Sequence, residues 1–382
     1  MKIAYIGLRG VPASYGGIER AVEELGTRLA RQGHEITVYC MKPYYPNRPP
    51  SYEGMRLKYV STVHSKNLEM ICYAFLAALD TALRRYDIVH LHALGPSTMT
   101  LVPRLAGRRT VVTVHGLDWQ REKWGRLAKG YLKLGEFSSY RLPHRTIVVS
   151  KSLQDYYRRT HGCETAYIPN GVNFRPLVPL QEAAKKYGIE KQRYFLFVSR
   201  LTKEKNVHLL VEAFRRIPTD MKLLIVGGSS HTDEYVESVK ASAACDPRII
   251  FTGAIYDQQL LAEIFSNAYV FVLPSALEGL PVVLMEALSF RNPVLVSDIA
   301  ENVEVIEEEG AVWGFTFESG NVDSLEAILR RLVEKPQLVE AMRPAGVEST
   351  KRKYDWDKVA EQTLQLYEEL LGRRGAASAE KR

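Results

Sequence analysis

Four cysteines in 382 residues, Cys40, Cys72, Cys163 and Cys245, are scattered without the paired spacing of a metal site. Three of them stand in or beside apolar stretches, as reduced structural thiols of a cytosolic protein do. Long apolar runs are missing as well. The best candidate, MICYAFLAAL at 70–79, is about half a membrane span before Asp80 interrupts it. The opening MKIAYIGLRG reads as a short strand and has neither the apolar core nor the cleavage site of a signal peptide. These absences predict a soluble cytoplasmic protein and leave open a peripheral contact at the inner face of the membrane. There is no short-period repeat and no low-complexity block. A dinucleotide fingerprint is also absent: Gly7 and Gly10 do not fit GxGxxG, and no acidic residue ends the second strand, which disfavours an NAD-dependent oxidoreductase. The charge excess is small, 51 Lys and Arg against 44 Asp and Glu, and it is spread rather than striped. Such a balance favours anionic partners and argues against nucleic acid.

What is present is an ordinary globular composition, 46% apolar and 25% charged, on a chain long enough for two cores. Short β-branched runs alternate with helical periodicity throughout, which predicts a parallel α/β protein. The strands of the first half read KIAYI, EITVYC, RLKYV, DIVHLH, RTVVTV, RTIVV and ETAYI; those of the second read RYFLFVS, KLLIVG, IIFTG, YVFVLP, PVLVS and WGFTF. Between them lie amphipathic helices such as 18–31, with Ile18, Val22, Leu25 and Leu29 on one face and Gly33 as a stop. The turn-rich 170–180 reads as a linker. We therefore expect two Rossmann-like, doubly wound domains, 1–172 and 173–355, facing across a cleft. The helix at 356–372 is expected to return to the first domain, and 373–382 to form a flexible basic tail.

Chemistry concentrates in a few loops. In SALEGLPVVLMEAL, 275–288, Glu278 is expected in the loop at a strand's carboxyl end. Gly279, Leu280, Pro281 and Val282 lead into a helix with Pro281 in its first turn, and Glu286 sits over one turn in. Ligands of open α/β sheets bind at strand carboxyl ends, and free N–H groups at helix N-termini attract phosphate. One carboxylate can then serve a sugar and the other a ribose; two solvated glutamates fit the same spacing. In FVSRLTKEKNVHLLVEAF, Arg200 and Lys205 occupy a strand-to-helix loop, where two cations can neutralise a diphosphate. Gly16 and Gly17, just before the first helix, permit close backbone approach and positive φ. Asn170 in IPNGVN either faces the cleft or makes a plain Asn-Gly turn.

Metal binding finds little support. Asp355-Trp356-Asp357 imitates a DxD motif but begins the terminal helix, where capping explains it. His90 and His92 are expected to point to opposite faces of their strand and so not to share a metal. Finally, GLDWQREKWGRLAKGYLKL mixes Arg121, Lys123, Arg126, Lys129 and Lys133 with Trp119, Trp124 and Tyr131. Read as one amphipathic helix over 119–134, it suits an anionic membrane surface, or equally the solvated face of a core helix.

Taken in order, GG at 16–17, HG at 115–116, PNGV at 170, SRLTKEK at 199 and SALEGLPVVLMEAL at 275 resemble the retaining, two-domain GT-B glycosyltransferases of family 4, over essentially the whole chain. GLRGVPASYGGIERAVEEL and GLDWQREKWGRLAKGYL are similar to a bacterial rhamnosyltransferase-like subgroup of polysaccharide assembly. The resemblance implies transfer of a hexose or deoxyhexose from a nucleotide diphosphate sugar, UDP-hexose or dTDP-rhamnose, to a glycan or polyprenyl-linked acceptor. It assigns the donor diphosphate to Arg200 and Lys205, the ribose to Glu286, and a sugar hydroxyl to Glu278. Gly16 and Gly17 would let the backbone approach the donor phosphate, and His115 would lie beside the sugar ring. The departing phosphate is expected to take the acceptor proton, so neither metal nor cofactor is implied. Main chain around 253–258, including Ile255, is where the base is expected to be read. An epimerase or phosphorylase on the same plan is the rival reading, but the cofactor lysine or phosphate site of a phosphorylase has no counterpart that we can locate.

Overall fold

Every run read as a strand forms one. The computed structural model of the protein describes residues 1–13, 16–63, 68–122, 124–229 and 232–372. The chain divides into two units: Met1–Gly171 together with the chain from Trp356 onward, and Val172–Asp355.

The first unit carries β1 (Lys2–Ile6), β2 (Glu35–Met41), β3 (Ser51–Tyr52), β4 (Met55–Val60), β5 (Ile88–His92), β6 (Arg109–Val114), β7 (Arg145–Val148) and β8 (Ala166–Tyr167). They form one sheet in the order β3-β4-β2-β1-β5-β6-β7-β8, parallel except for the β3–β4 pair. Strands such as YI in β1 and VHL in β5 are buried on both faces, which is why they read as near-continuous apolar runs. The helix Gly17–Arg31 buries Ala21, Val22, Leu25 and Leu29 against this sheet. The terminal helix Trp356–Leu370 packs on it, adding Trp356, Val359, Leu366 and Tyr367 to the same core.

The second unit carries β9 (Tyr194–Val198), β10 (Lys222–Val226), β11 (Ile249–Gly253), β12 (Val270–Leu273), β13 (Val294–Ser297), a small hairpin of β14 (Glu307–Glu308) and β15 (Ala311–Val312), and β16 (Phe315–Phe317). Its main sheet is parallel, in the order β11-β10-β9-β12-β13-β16. Phe195, Phe197, Leu223, Ile225 and Val270 of the sheet meet Val211 and Phe214 of the helix Val207–Arg216 in its core. In both units the strand order reverses beside the first strand, between β1 and β5 and between β9 and β12. Loops at the carboxyl ends of such a strand pair diverge and leave a crevice for ligands.

Candidate active site

In the second unit the two loops at the reversal are tied together. The loop after β9 contains a 3-10 turn, Lys203–Lys205. The backbone N–H of Ala276, in the loop after β12, donates to the Glu204 carbonyl at 2.9 Å. The Lys205 ammonium donates to the Glu278 carboxylate, and the two side chains are only 11% and 9% exposed. The sequence suggested separate ligands for these groups, and the structure pairs them. A nearly buried ammonium needs a counter-charge, and Glu278 supplies it.

Arg200 is exposed at the mouth of the same loop, where its carbonyl accepts from Thr202 N–H at 3.0 Å. Pro281 stands just before the helix Val282–Ser289 rather than in its first turn, and its carbonyl accepts from Leu284 and Met285 N–H. Glu286 is half-buried on that helix, while Gly279 and Leu280 are buried ahead of it. Ile255, half-buried, follows β11, so it lies at the carboxyl end of the edge strand, two strands from β9. Sequence reasoning missed the floor of this loop. Ser297 Oγ donates to the Ser275 carbonyl, and Asn302 Nδ2 donates to Ser297 Oγ at 2.9 Å. Polar residues at and just past the end of β13 were the available signal.

In the first unit the glycines that matter to the backbone are not the expected pair. Gly16 has an extended φ of −178°, which any residue adopts, and Gly17 is the first helical residue with open space where a Cβ would stand. Positive φ belongs to Gly7 (+109°) and Gly10 (+142°); a Cβ on Gly7 would lie 2.2 Å from the His92 carbonyl oxygen. The loop is held from below by two carboxylates of the helix Gly17–Arg31. Glu19 accepts from Arg9 N–H at 3.2 Å and Glu23 from Ala13 N–H.

His115 follows β6 and is half-buried. Its Nε2 lies 3.1 Å from His92 Nδ1. The expectation that His90 and His92 point apart is overturned: residues two apart in a strand share a face, and their rings stack with centroids 4.2 Å apart. Burial lowers His115 to about 4. It lowers His90 to about 3 with help from His115, and takes His92 well below the usual imidazole range with help from both neighbours. All three are neutral at neutral pH. Among the described residues no group of three His, Cys, Asp or Glu is arranged to hold a metal ion.

Asn170 is buried, and its neighbour Gly171 has a packing reason: a Cβ there would lie 2.5 Å from the Trp356 ring. Asp357 pairs with Arg28 at 2.7 Å. The segment expected to be one basic helix over 119–134 is not one. Asp118–Gln120 is a 3-10 turn, the helix begins at Arg126 and runs to Arg141, and Lys123 lies outside the described residues. Its aromatic residues are used internally. Trp119 Nε1 donates to Glu136 at 2.6 Å, Lys133 Nζ sits 5.0 Å from the Trp119 ring centre, and Tyr131 Oη donates to the Gly95 carbonyl at 2.9 Å. Gly125 and the turn interrupt the period that a sequence pattern cannot tell from a continuous helix.

Two α/β units, each with its loops gathered where a parallel sheet reverses, define the GT-B class. Solved structures agree: sucrose-phosphate synthase (tll1590) from Thermosynechococcus elongatus superimposes with a TM-score of 0.84 at 23% identity, over 98% of this chain and 100% of that one. The family model "Glycosyltransferase Family 4" matches residues 15–175, and "Glycosyl transferases group 1" matches 181–349. The chain belongs to the group 1, family 4 glycosyltransferases. Among curated relatives, alpha-maltose-1-phosphate synthase of Mycolicibacterium smegmatis is 26% identical over 97% of this chain and 100% of its own. The UDP-Gal:alpha-D-GlcNAc-diphosphoundecaprenol alpha-1,3-galactosyltransferase of Escherichia coli is 26% identical over 87% and 88%.

Proposed function

We propose that this glycosyltransferase moves a hexose or deoxyhexose from a nucleotide diphosphate sugar, with retention, to a glycan or polyprenyl-linked acceptor of bacterial polysaccharide assembly. The observation that carries the donor assignment is the Lys205–Glu278 pair at the strand reversal, beside the helix Val282–Ser289 and Arg200. An arriving diphosphate takes over Lys205, and Glu278 turns to a hydroxyl of the sugar. Arg200 adds a second cation, the N–H groups at the start of the helix face phosphate, and Glu286 accepts from the ribose. Main chain at Ile255 meets the base. In the first unit, Gly16 and Gly17 keep the entry to the helix Gly17–Arg31 free of side chains, Asn170 supports the same end of the sheet, and His115 attends the sugar. Charge that develops on the leaving diphosphate is stabilised by groups already in place, usually the largest catalytic contribution. The leaving phosphate then accepts the acceptor's proton. A polyprenyl diphosphate acceptor is supported by the chemistry named for the Escherichia coli relative. The rhamnosyltransferase-like reading rests on the two N-terminal stretches alone.

A thermal-shift panel tests the donor reading, because a ligand bound only by the folded state raises its stability with concentration over Kd. Nucleoside diphosphates and their sugars are expected to raise the melting temperature while NAD does not. The reverse pattern would refute the assignment. Transfer is expected to continue in EDTA, since Arg200 and Lys205 provide the neutralisation. Loss of activity that Mn²⁺ restores would show that it needs a metal.

The acceptor's lipid suggests contact with an anionic membrane; the helix from Arg126 exposes Leu127 and Leu134 beside basic residues, and a second supporting surface lies outside 119–134. No helix among the described residues is long and apolar enough to cross a membrane. The helix Glu69–Leu83 shows Phe75, Leu76, Leu79 and Leu83 to solvent and packs beside Leu101–Leu105. Leu83 and Leu105 protrude, at 79% and 78% exposed. Arg84 and Arg85 follow Leu83, Arg108 reaches the Ala82 carbonyl at 3.4 Å, and Arg104 reaches the Pro143 carbonyl at 3.2 Å. His144, lowered by burial, also feels Arg104, Arg109 and Arg145. Protruding leucines ringed by arginines suit lipid headgroups, each basic residue adding about 1 kcal/mol that salt screens. We expect sedimentation with phosphatidylglycerol vesicles that weakens with salt and in Leu83→Ser/Leu105→Ser. Equal partitioning onto neutral vesicles would rule the surface out.

A further inference from the structure

His90 and His92 are the polar residues of β5, and only one of them is saturated. His90 Nδ1 lies 2.6 Å from Tyr367 Oη and its Nε2 lies 2.7 Å from Thr113 Oγ1. His92 has a single partner: its Nδ1 meets His115 Nε2 at 3.1 Å, while its buried Nε2 has no hydrogen-bond partner among the described residues. The His92 main chain is pinned in place. The Gly7 backbone lies so close to its carbonyl that only glycine fits, and Ala93 N–H donates to the Thr113 carbonyl at 2.9 Å.

Between two neutral imidazoles one proton occupies the hydrogen bond, and there are two ways to place it. If His115 carries it on Nε2, then His92 must keep its own proton on Nε2, where a buried N–H would have no acceptor. If His92 carries it on Nδ1, its Nε2 is only a bare lone pair. A buried N–H left without an acceptor is rarer than a buried acceptor left without a donor. The second arrangement leaves the less costly orphan.

We propose that His92 is a positioning residue that donates from Nδ1 to His115 Nε2, so that His115 carries its proton on Nδ1 and offers a hydrogen-bond donor to a sugar oxygen. The stacked His90, anchored by Tyr367 of the terminal helix, holds the His92 ring in the plane that makes this bond. The tautomer follows from the first unit alone; its consequence for transfer rests on the placement of His115 beside the sugar given above. A wrong tautomer would present a lone pair where the ligand needs a donor.

The test uses the full chain labelled with ¹⁵N-histidine, with two-bond ¹H–¹⁵N correlations assigned by His115→Gln and His92→Leu. The expected spectrum shows His115 protonated on Nδ1. In His92→Leu the His115 signals are expected to become a mixture of tautomers and turnover to fall roughly five- to tenfold, with nucleoside diphosphate affinity unchanged. His92→Asn, whose amide N–H can occupy the place of Nδ1–H, is expected to restore both. A wild-type spectrum with His115 protonated on Nε2 overturns the tautomer assignment, whether or not the variants fold. The proposed tautomer combined with turnover that His92→Leu leaves intact overturns the positioning role. Neither result bears on the Lys205–Glu278 donor site, which the nucleotide panel tests separately.

Discussion

Lys205→Ala is expected to lower turnover by about a hundredfold or more, because removing one group that stabilises developing charge costs on the order of 3 kcal/mol. The structure adds a second consequence. Lys205 and Glu278 are a nearly buried pair, so the single substitution leaves a carboxylate without its counter-charge. Breaking a buried pair from one side typically costs about 3 to 5 kcal/mol of stability. Turnover and folding would then fall together, and one variant could not tell them apart. Lys205→Ala/Glu278→Gln removes the orphaned charge and is expected to recover most of the melting temperature while turnover stays low. Steady-state kinetics and thermal unfolding on both variants decide the matter. Near-normal turnover in either variant would show that Lys205 does not touch the leaving group.

The two glutamates should separate by ligand. Glu286→Gln is expected to weaken nucleoside diphosphate and nucleotide sugar alike, since both contain ribose and a lost charged hydrogen bond costs about 1.5 to 3 kcal/mol. That is roughly a ten- to hundredfold rise in Kd. Glu278→Gln should behave differently. On the proposed reading its partner in the donor is the sugar, which the diphosphate lacks; in the free protein its partner is Lys205. Neutralising it releases Lys205 for phosphate, so nucleoside diphosphate should bind at least as tightly while transfer falls. Calorimetry on both variants with nucleoside diphosphate is the check. Equal losses of affinity would mean that the spacing of Glu278 and Glu286 serves the fold rather than the ligand.

The contrast between Glu278 and His92 shows how far residue order carries. The place of Glu278 in its loop was legible because its neighbours are local: an apolar strand, a loop with Gly279, and a helix after Pro281 are all within one short stretch. That His90 and His92 share a face follows from strand parity alone, but their bonds to Tyr367, Thr113 and His115 on other elements do not. The helix boundary at Arg126 was lost for a related reason, since an amphipathic period continues through Trp119 and Trp124 whether or not the backbone does.

By itself the sequence determined the α/β plan, the strands and the loops at their carboxyl ends, because periodicity and turn chemistry act over a few residues. Only the tertiary structure decided which loops meet. Lys205 and Glu278 are 73 positions apart, and His92 and His115 are 23 apart. Each pair exists because parallel strands distant in the chain lie side by side, β9 against β12 and β5 against β6. That adjacency is set by how whole layers bury their apolar faces, a property that no single stretch of residues contains.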